Sequence, residues 1–148
     1  MMLAFIRPDA WNLPLFLHVL GATILFGTVG VVAVAGFASR GRPERSPLLS
    51  TVALRTFLFG IVPSFIVMRV AAQWVLGKEY PDGHEPGWVG VGFIVTEPGA
   101  VMLIVLGVLT WMWRRRGAAG RAAVFVPWLA SVYIVALGVA WVAMSGKP

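Results

Sequence analysis

The chain has 148 residues, 59% of them hydrophobic and only 12% charged, with a mean hydropathy of +0.85. The charged share is about half that of a soluble domain, and a small soluble fold of this composition would expose large apolar patches. The net charge of +6 does not indicate a nucleic-acid binder, because the arginines flank apolar runs instead of forming one basic face; the absence of cysteine excludes disulfides, thiolate metal sites and thiol catalysis.

The first apolar run covers residues 13–38. Asn12 suits its N-cap, and Pro14 is tolerated in the first helical turn. The run is longer than the apolar stretch of a signal peptide, so it is expected to remain as a membrane helix. Arg40, Arg42 and Arg45 follow it. The second run, residues 52–76, has Arg55 just inside its start and Pro63 within it, where the ring removes a backbone donor and should kink the helix. A polar connection, 77–87, carries Lys78, Glu79, Asp82, His84 and Glu85; its acidic spacing matches no strong metal site.

The third run ends at Trp113 and has two candidate starts. Thr96-Glu97-Pro98-Gly99 resembles a helix start with Pro98 in the first position, which would leave 87–95 along the membrane interface. This reading is preferred over a helix that begins near Val91 and bends at Pro98. Arg114, Arg115, Arg116 and Arg121 come next, and the fourth run is 122–144 with Pro127 near its first turn.

A helix crossing a hydrocarbon core needs roughly 20 mostly apolar residues. Spans at about 13–38, 52–76, 92–113 and 122–144 therefore predict an all-α, four-helix transmembrane bundle forming a single domain over 1–148. Arginines concentrate on the first and third connections, so the positive-inside rule puts those in the cytoplasm and both termini outside, in a bacterial cytoplasmic membrane. Trp11, Trp74, Trp88 and Trp141 then fall at the outer interface, and Trp111 and Trp113 at the inner one, as an aromatic belt. Thr23, Gly27, Gly30, Gly36, Gly99, Gly107 and Gly138 are small enough to permit close helix contacts.

Ionisable groups in hydrocarbon are costly, so each one asks for a reason. Three qualify: His18, Arg69 and Glu97. His18 lies about 9 Å and Arg69 about 10 Å below the outer helix ends at 1.5 Å per residue, and Glu97 is near the same boundary. Arg69 with Glu97 would form a neutral pair. Each also has a structural reading: Glu97 as an interfacial cap, Arg69 snorkelling outward, His18 bonded to a neighbouring carbonyl. His18 is the one candidate metal ligand in a span; Met68, Met102 and Met144 fall in the outer half, where a His/Met pair or a second His18 from a symmetry mate could complete a haem site. There is no phosphate-cradling Gly-Lys-Ser/Thr loop, no paired carboxylates in a span and no HExxH, so a hydrolase is not expected.

The stretch Leu13-Pro-Leu-Phe-Leu-His18-Val-Leu-Gly21-Ala22, followed by Phe26-Gly27, resembles the first helix of small bacterial four-span predicted integral membrane proteins of unknown function. Those are distantly similar to copper-resistance membrane proteins of the D type and to the membrane-bound, haem-associated protoporphyrinogen oxidase. The match covers mainly residues 15–30. The resemblance implies a ligand role for His18, with haem b as the cofactor. The resemblance assigns a role to His18 only; in a cofactor-binding reading of the whole site, Arg69 would be a propionate or anion partner and Glu97 would balance charge or relay a proton.

Three functional classes stay open. One is a redox-associated, cofactor-binding membrane protein with its site toward the outer face. Another is a non-catalytic accessory subunit or scaffold that binds other transmembrane helices, in a homo-oligomer or a complex. The third, a small transporter, would need a polar stripe along a whole run, and none is present.

Overall fold

The structure is a computed structural model that describes residues 12–79 and 87–145. Trp11, His84, Asp82 and Glu85 lie outside the described residues, as do the side chains of Trp88, Glu79 and Met144. Among the described residues all regular structure is helical. The elements are α1 (Asn12–Gly41), a 3₁₀ turn (Pro43–Arg45), α2 (Ser46–Thr56), a π turn (Phe57–Ile61), α3 (Val62–Glu79), α4 (Gly87–Arg116) and α5 (Arg121–Ser145).

Four helical units are long and apolar enough to cross a membrane: Asn12–Gly41, Pro43–Lys78, Gly92–Arg116 and Arg121–Ala143. They make a multi-pass bundle of four helices. Large apolar side chains point away from it on every side, among them Phe59 at 80% and Ile94 at 71% exposed, as a lipid-facing surface requires.

The buried residues form stripes of helical period. Leu25, Val29 and Val32 line one face of α1; Leu103, Leu106, Thr110 and Trp113 line α4; Val126, Ala130 and Tyr133 line α5. α1 packs against α2, α3 and α5, while α4 packs against α5 and α2. Lipid tails are as apolar as leucine, so close van der Waals contact has to hold such helices together. Glycines supply it at successive seams: Gly36 against Pro127, Gly60 against Thr28, Gly107 against Phe57. Gly27, Gly30 and Gly138, expected to serve the same purpose, face open space.

The second span changes partner along its length. The Val62 N–H bonds the Phe57 carbonyl five residues back, which inserts one residue into the helical ladder directly ahead of Pro63. The proline ring crowds the carbonyl four residues before it, and a widened turn relieves that crowding. Below the π turn, α2 packs on both α1 and α4; above it, α3 follows α1 and scarcely meets α4 along the backbone. The half of the bundle that holds α3 is therefore open between α3 and α4.

The preferred start of the third helix is corrected. Residues 87–95 are part of α4 and not a separate segment ahead of it, and the helix runs unbroken through Pro98. In water, Thr-Glu-Pro-Gly favours a helix start; in hydrocarbon an unpaired carbonyl costs far more, so the backbone satisfies itself as helix on both sides of the proline. The Thr96 hydroxyl accordingly donates back to the Gly92 carbonyl inside α4 instead of capping a first turn. Gly117 ends α4, with φ of 71° and its N–H on the Trp113 carbonyl at 2.9 Å.

Candidate functional site

His18 projects from α1 toward α3. Its Nδ1 lies 3.1 Å from the Met68 carbonyl oxygen, and since a carbonyl can only accept, Nδ1 carries the hydrogen. Nε2 of the neutral ring then keeps its lone pair. One turn along, Gly21 brings α1 down onto α3: a Cβ there would stand 2.8 Å from the Met68 nitrogen. Met68 is buried at 4% exposure and gives His18 its backbone oxygen. The next residue, Arg69, points the other way.

Arg69 reaches across the opening between α3 and α4. Its guanidinium donates to Glu97 Oε1 at 3.3 Å and stands 5.0 Å over the Phe93 ring. The side chains are 29% and 67% exposed respectively, so the pair closes a surface gap and is not a buried ion pair. Glu97 sits within α4 and not at its start, which removes its reading as a helix cap. Arg69 is braced by a carboxylate and a ring.

His18–Met68 and Arg69–Glu97 thus join three helices through two adjacent residues of α3. Met102 is half-buried on α4 against the core cluster. Among the described residues no three His, Cys, Asp or Glu side chains gather as a metal-binding group.

Two further residues carry no signal in the sequence that would have singled them out. Trp113, expected in the inner aromatic belt, is fully buried, and its Nε1–H donates to the Ser46 hydroxyl at 2.9 Å. Tyr133 is 1% exposed, packs edge-on over Gly99, and among the described residues its hydroxyl has no hydrogen-bond partner. Trp74, Trp111 and Trp141 do face outward, with Arg115 4.4 Å over the Trp111 ring. The buried hydroxyls of Ser39, Ser50, Ser64 and Thr110 donate to backbone carbonyls three or four residues earlier in the chain.

No family model, curated protein or solved structure matches this chain.

Proposed function

We propose that this chain is a small multi-pass protein of the bacterial cytoplasmic membrane, with both termini outside, in which His18 serves as the single protein ligand of a haem b. One observation carries the reading. Nδ1–H of His18 is committed to a backbone carbonyl, the arrangement that fixes a metal-binding imidazole's tautomer and turns Nε2 outward as a base.

The donor set fits ligation from one side only. Met68 lends its oxygen to His18 and its side chain is buried against Gly21, and Met102 belongs to the α4 face of the core. His18 would be the one ligand this chain supplies, and His18 of a second copy would be the further protein donor in a homo-oligomer. Arg69 retains donors beyond the one given to Glu97, enough for a propionate at the same level. When bound, the haem would supply one-electron chemistry. The protein's part is to orient the imidazole through Met68 and to hold charge near neutral through Arg69 and Glu97.

Titration of the purified protein with haemin tests this. A Soret band shifted on binding and lost in His18→Asn supports it. Asn keeps an N–H for the Met68 carbonyl but has no ring nitrogen to offer, so the variant should fold as the parent does. A folded protein that leaves the haemin spectrum unchanged overturns it.

A second reading has its own observation. Gly27 and Gly30 meet nothing within 4 Å, and with Val31, Val34 and Ala38 they line a shallow apolar groove between α1 and α2 that opens to lipid. An accessory subunit would receive a partner helix there. Crosslinking from Val34→Cys to another membrane protein of the native host, in a chain that binds no haemin, would favour this reading.

A further inference from the structure

The arginine-rich end of the bundle contains a built cleft, and its chemistry is separate from that of the outer layer. Eight arginines lie there (Arg40, Arg42, Arg45, Arg55, Arg114, Arg115, Arg116 and Arg121) against one acid, Glu44. Among the described residues none of these arginines is paired with a carboxylate. At the edge of a low-dielectric slab such an excess demands counter-anions from its surroundings.

Arg40 shows where one would sit. An ordinary interfacial arginine snorkels into water. This one lies back across α5: its guanidinium donates to the Val124 carbonyl and stacks 5.4 Å from the Phe37 ring and 5.8 Å from the Trp128 ring. Those two rings meet edge to face at 5.4 Å, and both are exposed on the lipid side, Trp128 at 57%. Beside the guanidinium is a cavity of about 240 Å³ lined by Ser39, Arg40, Pro43, Ala118, Ala123 and Val124. Exposed arginines flank it in sequence: Arg42 precedes Pro43, and Arg121 comes two residues before Ala123. The Ser39 hydroxyl is already bonded to the Gly36 carbonyl, so the charge in the cleft comes from the guanidinium groups.

We propose that this cleft between α1 and α5 binds one anionic phospholipid, with the phosphate among Arg40, Arg42 and Arg121 and an acyl chain along the Phe37–Trp128 rings. The ligand chemistry is a phosphate oxyanion. The lipid is favoured over a free phosphate because the charged cleft continues directly into an exposed aromatic surface, which a soluble anion would not use. The cleft is independent of the haem reading.

The test uses the full chain in bilayers of phosphatidylcholine, alone or mixed with phosphatidylglycerol. Native mass spectrometry from mixed bilayers should retain one phosphatidylglycerol in preference to phosphatidylcholine, and phosphatidylglycerol should raise the thermal midpoint. An arginine near a membrane surface contributes enough for about a fivefold change in lipid affinity. Arg42→Gln and Arg121→Gln should each weaken retention by that factor, while Arg55→Gln, at the same end but on α2 and not next to a cleft-lining residue, should not. Arg40→Gln also removes the bond to Val124, so the two exposed arginines carry the test. Equal retention of the two lipids overturns the proposal. So does a midpoint in phosphatidylcholine that added inorganic phosphate raises as far as phosphatidylglycerol does.

Discussion

Gly21 and Met68 are in backbone contact: a methyl group on Gly21 would lie 2.8 Å from the Met68 nitrogen and 3.0 Å from its Cα. Neither atom can rotate away, since both belong to the α3 main chain. Gly21→Ala must therefore push α3 off α1 and stretch the His18–Met68 hydrogen bond, at a cost of about 1–3 kcal/mol. Gly27→Ala, six residues along the same helix, meets no atom within 4 Å and should be neutral or stabilising by up to about 1 kcal/mol through helix propensity. Thermal unfolding in detergent followed by circular dichroism compares the two. Equal shifts would remove the close contact as the reason for a glycine at position 21.

Arg69 has two partners and Glu97 one, which sets the order of effects. Arg69→Leu loses the carboxylate and the Phe93 ring together, so it should destabilise more than Glu97→Leu. Glu97 is 67% exposed, and an exposed pair couples by about 0.2–1 kcal/mol. A double-mutant cycle should return a coupling within that range. Additivity of the two single changes would mean that the pair does not form.

The spans were readable because apolar length is a one-dimensional property, and so was the Arg69–Glu97 meeting, because both residues count to the same depth. Which way each residue faces was not readable. Where every side of a helix is apolar, no polar stripe marks the outward face, so Gly36 at the α5 seam and Gly30 on the lipid side look alike in sequence. Trp113 was assigned by its level, and level says nothing about whether a ring points inward. The start of α4 was misread for another reason: Pro98 and Thr96 carry helix-start signals calibrated in water, and lipid changes the penalty for leaving a carbonyl unpaired. The Met68 carbonyl that orients His18 is a backbone atom with no signature of its own.

Trp113 and Ser46 pin the far end of the bundle, where α4 meets the start of α2. Both are buried, at 0% and 1% exposure, so neither can turn to water if the other is lost. Ser46→Ala leaves an indole N–H without an acceptor and should cost about 1–3 kcal/mol. Trp113→Phe deletes that donor and part of the packing. The double variant should then be less unstable than the sum of the two, because the orphaned donor is gone. Chemical denaturation of the four proteins measures this, and a simple sum would mean that the hydrogen bond contributes nothing.

Tyr133 inverts the usual expectation for a buried polar group. Its ring fills the space left by Gly99, with the ring edge 2.8 Å from where a Cβ would stand, while its hydroxyl is buried without a partner among the described residues. The ring contributes packing and the oxygen contributes a desolvation penalty. Tyr133→Phe keeps the first and removes the second, so it should leave the bundle as stable as before or up to about 1 kcal/mol more stable. Tyr133→Ala empties the space over Gly99 and should cost about 3–5 kcal/mol, as other large-to-small aromatic changes in a packed core do. Thermal unfolding of both variants separates the two contributions. A clear destabilisation by Tyr133→Phe would show that the hydroxyl is bonded in the membrane.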